Sequence, residues 1–409
     1  MKKSLLNLLG PGLLFAGAAI GVSHLVQSTR AGADFGFGLL WALLLVHIIK
    51  YPFFQFGPRY ATATGETLLD GYKRLGKGVL ISYFILNLAT MFTIQAAVTI
   101  VTASLASNIF GISLDLVAWS VLIMFISIVL LGIGKYKFLD NLMKYIIAIL
   151  TISTIIAVNI ALFKTDKGFS FQQIIPSGTA QVTFLIAFLG WMPAPLDISI
   201  WHSLWSVEKD KTTFVKIKPK QAIFDFNVGY IGALFLGVCF VMLGALVMHQ
   251  SGESFSSKGT IFASQLINLY TKNLGEFSSV FIGIAAFTTM FSTTITTLDA
   301  SPRAMEKSSF LLFTRTTRTI KLGYWFWLLL LTLGTSVILY CFLSDMVFLV
   351  RIATVLSFLT APFYAILNYI LITGKHTPKK YRPNIGLRIL SLIGIVFLFG
   401  FSIWFLLSL

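Results

Sequence analysis

Residues 10–41 read GPGLLFAGAAIGVSHLVQSTRAGADFGFGLLW. The stretch is apolar and long enough to cross a bilayer, which takes about 20 residues of helix. Its middle, Gly21-Val22-Ser23-His24, works against a regular span. Gly17 and Gly21 lower helix propensity, and Ser23 and His24 are polar groups at hydrocarbon depth. Loose backbone groups are tolerated in a membrane only where they face protein or a water-filled cavity. Two readings follow: an unwound helix lining a solute site, or a glycine-rich helix packed against its neighbours.

The rest of the chain has the same character. Of 409 residues, 56% are hydrophobic and 11% charged, with a mean hydropathy of +0.86. Soluble domains carry about 25% charged residues, so the class is an all-α integral membrane protein. Eleven candidate spans run at about 10–32, 36–58, 78–106, 115–133, 139–163, 180–204, 222–248, 278–300, 322–343, 346–373 and 386–408. The net charge of +16 is distributed unevenly among the loops. One alternating set holds Lys2, Lys3, Lys73, Arg74, Lys77, Lys135, Lys137, the run Lys209 to Lys220, Arg303 to Lys321, and Lys375 to Arg388; the other holds Arg30, Lys164, Lys167, Lys258 and Lys272. The asymmetry is that of a multi-pass protein of the cell's inner (plasma) membrane with a cytoplasmic N-terminus, and it excludes a nucleic-acid reading of the charge. The first helix reads as retained, not as a cleaved signal peptide. Trp205 and Tyr381 fall where interfacial aromatics are expected, and Cys239 and Cys341 read as free packing thiols. Within the 249–277 loop, Ile261 to Leu274 form an amphipathic stretch.

The sixth span contains a second break. Residues 184–205 read FLIAFLGWMPAPLDISIWHSLW, with Pro193 and Pro195 in the middle, Gly190 before them and Asp197 just after. Each proline removes a backbone donor and clashes with the preceding turn, so the helix opens here. An acid in mid-membrane points to function; its structural alternative is a partner for His202. Breaks in spans one and six, five spans apart, are what an inverted 5+5 repeat produces, and such paired interruptions mark a transporter's midplane site. The chain is therefore expected to form one membrane domain. Its first repeat is at about 10–163, its second at about 180–373, with an extra helix at about 386–408.

Several motifs together carry a family resemblance. The GPG start and AGADFG end of span one, RYATATGETLLDGYKR at 59–74, GWMPAPLDISIWHSLW at 190–205, FSTTITTLDA at 291–300 and VLSFLTAPF at 355–363 resemble the Nramp family of proton-coupled divalent-metal transporters. The resemblance covers most of the chain. It implies the LeuT-type fold with eleven transmembrane helices, the metal being held between the unwound parts of helices one and six.

The departures lie where that family binds metal. The family's first-helix motif is Asp-Pro-Gly-Asn, and its Asp and Asn positions fall on Gly21 and His24 here. The sixth-helix Met-Pro-His motif falls on Ala194, Pro195 and Leu196 in one register; in the other, Pro195 takes the Met position and Asp197 the His position. Met192 is off the ligand position in both. The helix-ten glutamine falls near Thr354. The soft thioether and the carboxylate are both missing from their usual places, so a manganese or iron cargo is not expected.

Three functions remain. The first is transport of a small anion or carboxylate-bearing solute such as bicarbonate, favoured by the open half-helix end at Gly21, by Arg351 one turn before Thr354, and by Arg30. The second is transport of a harder divalent ion such as Mg²⁺ through Asp197 and His24, with Ser23 nearby. The third is a non-transporting receptor or regulator. The coupling ion is expected to be H⁺, through His24, Asp197 or His202, or Na⁺, through hydroxyls of Ser292, Thr293, Thr296 and Thr297; hydroxyls bonded to their own helix are the alternative. Asp225 reads as a gate or cap on the cytoplasmic side. No phosphate loop, nucleophile elbow or HExxH motif occurs, so neither an enzyme nor a bound cofactor is expected. The partners are a small solute or ion and the bilayer; the oligomeric state is left open.

Overall fold

The computed structural model describes residues 10–164, 170–213, 217–249, 256, 259–274, 278–313, 317–342 and 346–408. Lys2, Lys3, Lys167, Lys216, Lys258 and Arg315 of the loop sets lie outside the described residues.

Every regular element among them is helical. Span one is split into α1 (Pro11–Ala19), a π-helical turn over Val22–Ser28 and α2 (Thr29–Phe35). Then come α3 (Leu40–Thr64), a short α4 (Leu68–Leu75) and α5 (Lys77–Phe110). Spans four and five lie in one helical element, α6 (Leu116–Lys164). Its two apolar stretches, 116–133 and 144–163, are each of spanning length. The connection expected around Lys135 and Lys137 is thus helical rather than an open loop; no proline interrupts it. Span six is split into α7 (Thr179–Trp191) and α8 (Ile198–Thr213). The remainder is α9 (Pro219–Leu243), continued by a π-helical turn to Met248, then α10 (Gly259–Leu274), α11 (Ser278–Phe313), α12 (Thr317–Phe342), α13 (Met346–Thr373) and α14 (Ile385–Ser408).

Nine described segments are long and apolar enough to cross a membrane. The two expected spans outside that group are the broken α7–α8 pair and α11. The amphipathic stretch of the 249–277 loop is the helix α10.

The helices of the first half pack against those of the second. Close crossings rest on glycine. A side chain at Gly12 would run into the backbone of Asp225, one at Gly229 into the carbonyl of Gly12, and one at Gly32 into that of Val241. Small residues of this kind let membrane helices approach backbone to backbone. Asp225 itself accepts hydrogen bonds from the N–H groups of Gly10 (3.0 Å) and Gly12 (2.8 Å). It thus serves as the cap of α1, where a carboxylate offsets the positive end of a helix. Trp205, expected at the interface, is buried at 1% exposure, packed edge-on against Trp201 in the core. Tyr381 is half-buried. Cys239 packs inside, whereas Cys341 is exposed on the outer wall of the bundle.

Candidate functional site

The two breaks lie side by side at the centre of the bundle. Between them is a cavity of only 20 Å³, walled by Val22 and Ser23 of the first break, Pro195, Ile198 and Trp201 of the second, and Thr293 of α11. That is room for about one water molecule. Two larger cavities lie toward opposite ends of the bundle. One, of 310 Å³, is lined by Gln27, Arg30, Asp34, Gln181, Phe184 and Arg351 and opens on the face away from the N-terminus. The other, of 340 Å³, lies on the N-terminal face among Glu66, Asp70, Glu208, Arg303, Glu306 and Lys307.

The first break is short. Hydrogen bonds of α1 continue to Ile20, whose N–H reaches Ala16 O at 2.7 Å, and the next turn starts when Leu25 N–H reaches Gly21 O at 2.9 Å. Gly21 sits against Thr293, whose methyl and hydroxyl would collide with any side chain there. Ser23 Oγ meets Ala19 O and lies 2.7 Å from His24 Nδ1. His24 is fully buried, and its Nε2 lies 2.9 Å from Ala233 O on α9. Nε2 donates to Ala233 O, while Nδ1 lies within hydrogen-bond distance of both Ser23 Oγ and Ala19 O (3.0 Å), and the single Ser23 hydroxyl proton serves one of the two. His24 therefore ties the break to α9 and does not face Asp197. Met192 is also engaged elsewhere: its sulfur accepts from Ser28 Oγ at 3.5 Å.

The second break carries charge. Asp197 stands just before α8, buried at 4% exposure, and its Oδ1 has no hydrogen-bond partner among the described residues. The expected alternative, a pair with His202, is not formed. The His202 ring stacks on Phe15 and lies against Phe226, and neither nitrogen has a partner among the described residues. Instead Asp197 is within electrostatic reach of Lys50 on α3 and of the buried tyrosines Tyr83 and Tyr364. Next to this group, Tyr72 donates to Asn368 (2.7 Å), and Asn368 donates to Ser199 (2.9 Å) at the start of α8.

Lys50 is the residue that motif reading missed. It is fully buried, and its ammonium donates to Leu189 O (2.8 Å), Gly190 O (2.7 Å) and, more weakly, Ala194 O (3.4 Å). The signal was present in the sequence: VHIIKYPFF places a lysine in mid-span, which is as uncommon as the acid at 197.

The remaining candidates divide between structural bonds and the vestibule. Thr354 donates to Arg351 O on its own helix (2.8 Å). Arg351 is exposed in the far vestibule, away from the breaks. Asp345, a possible partner for it, lies outside the described residues; Asp299, the other, is held by Arg303 (2.7 Å) and Tyr324 (2.9 Å). Ser292 and Thr296 bond carbonyls of their own helix. Thr293 reaches Gly17 O across to α1 (3.1 Å), and Thr297 donates to Gln95 on α5 (2.7 Å). On the N-terminal face Lys307 pairs with Asp70 (2.7 Å). Burial disfavours the ionised Asp70, but the Lys307 ammonium outweighs it and holds the carboxyl below its ordinary range. Among the described residues no group of three His, Cys, Asp or Glu side chains is placed to hold a metal ion.

Comparison with known proteins bears on the family and the fold. Residues 12–408 match the family model described as natural resistance-associated macrophage protein-like, Nramp. The chain is 36% identical over 404 residues to "Uncharacterized protein PM0681" of Pasteurella multocida (strain Pm70), covering 97% of this chain and 91% of that one. Among solved structures it is similar to a mutant form of the manganese transporter of Eremococcus coleocola, with a TM-score of 0.73, 14% identity, and coverage of 100% of this chain and 88% of that one. It is also similar to Mhp1, a nucleobase-cation-symport-1 family transporter in a closed conformation, with a TM-score of 0.63, 15% identity, and coverage of 98% and 93%. At these identities the structural likeness is one of fold.

Proposed function

The chain belongs to the Nramp family and has the LeuT-type fold of a multi-pass secondary transporter, and from that premise we propose that its cargo is a small anion or carboxylate-bearing solute, not manganese or iron. One observation carries this reading. The carbonyls at the broken end of α7 are already occupied by the Lys50 ammonium, which lies within electrostatic reach of Asp197, the single carboxylate of that break. A divalent ion would enter a centre with no net negative charge, lined by hydroxyls and apolar side chains. Hard divalent ions need about six oxygen ligands, and soft ones favour thiolate, thioether or imidazole. Met192 and His24 are committed to other bonds.

A small anion has suitable features along its path. Arg351 and Arg30 line the far vestibule and raise its local concentration there. The central cavity is closed around about one water, so the two bundles must separate to admit a solute, and a compact solute fits best.

Uptake into proteoliposomes tests the proposal. Labelled bicarbonate, formate, acetate and lactate are compared with Mn²⁺ and Mg²⁺. Saturable uptake of one of the anions is expected, with Arg351→Ala raising its KM several-fold. Saturable Mn²⁺ or Mg²⁺ uptake, competed by no anion, would overturn the proposal.

A further inference from the structure

We infer that the broken end of α7 is a site for a monovalent cation and that the Lys50 ammonium is its resident occupant. The last carbonyls of a helix have no partner within it and carry its negative partial charge. Here those of Leu189 and Gly190 converge with that of Ala194, from the far side of the prolyl break, on one point. An ammonium has three donors and no acceptor, so three carbonyls match it group for group. The 2.7 and 2.8 Å distances are those of charge-assisted bonds.

The donor comes from another helix, 139 and 140 positions away in sequence, so it is not a local cap of α7. It joins α3 to both sides of the break. A buried ammonium is tolerated only when it is fully hydrogen-bonded and its charge is balanced; the carbonyls do the first and the nearby Asp197 the second. Close packing maintains the arrangement: Gly190 lies against Thr354 O on α13, leaving no space for a side chain. A ring of backbone carbonyls replacing a cation's hydration shell is the general means by which membrane proteins hold monovalent ions. In this chain a side chain takes the ion's place.

The consequence for transport rests on the transporter reading above: the break needs no Na⁺ from solution. The test of the site does not rest on it, because it reads stability and uses no substrate. Thermal unfolding of the purified protein is followed in choline, sodium, potassium, ammonium and methylammonium chloride at equal ionic strength. The wild type is expected to unfold at the same temperature in all five. Lys50→Ala is expected to unfold several degrees lower in choline and to recover in ammonium, methylammonium or potassium, with saturation. Lys50→Gln keeps amide donors without charge and serves if the alanine variant is not recovered; it is expected to show the same loss in choline and partial recovery in ammonium. Either variant matching the wild type in choline, or losing stability equally in every salt, overturns the inference and leaves the cargo proposal standing. Failed anion uptake with intact salt recovery does the reverse.

Discussion

The break in helix one is held by neutral groups and the break in helix six by charge. Ser23, His24 and Thr293 close the first with hydrogen bonds to Ala19, Ala233 and Gly17. Lys50 and Asp197 share the second, the lysine arriving from α3. In sequence the two breaks look alike, each an apolar span interrupted by glycine or proline with an ionisable residue beside it. Their ionisable residues differ in use. His24 satisfies backbone across a helix interface, whereas Asp197 has an oxygen with no partner among the described residues. A buried polar atom without a partner is costly, which is why Asp197 enters the proposed site and His24 does not.

Substitutions separate the two breaks. Asp197→Ala should do the most damage, since it removes the single carboxylate of the second break. Loss of transport is expected, readable in vesicle uptake. Unchanged transport would remove Asp197 from the site. His24→Ala should cost about 2 kcal/mol, from a small cavity and the lost bond to Ala233 across the helix interface. Its KM should stay near wild type while the maximal rate falls; a raised KM with normal stability would make His24 a ligand instead of a tie. Gly21→Ala should cost about 1–2 kcal/mol by overpacking against Thr293, and Thr293→Ser, which removes the methyl group, should relieve part of it.

The smallest effect is expected away from both breaks. Lys307 and Asp70 are partly exposed, so Lys307→Ala should cost less than about 1 kcal/mol. Asp70 titrates below its ordinary range in the folded protein. Its contribution is therefore complete above the unfolded carboxylate value of about 4 and disappears as pH falls through the lower folded value. Melts of wild type and Lys307→Ala should converge at acid pH; a constant difference would show that the pair does not act through charge.

The sequence made the architecture readable because glycine, proline and polar residues inside apolar spans act through local backbone physics. Both breaks and the order of the spans follow from that. Side-chain direction does not. Nothing local tells that His24 turns toward α9, that Arg351 lines a vestibule while Thr354 bonds its own helix, or that Met192 gives its sulfur to Ser28. Lys50 was legible as a mid-span charge, but its carbonyl partners lie on a helix 139 positions downstream, and only the packing of α3 against the broken helix joins them.

Calorimetric titration of the purified protein with Mn²⁺ tests the central claim, that the family's metal site has given way to an internally neutralised centre, most directly. The account predicts no saturable Mn²⁺ heat, alongside saturable heat from a small carboxylate or bicarbonate. Saturable Mn²⁺ binding that disappears in Asp197→Ala would contradict it.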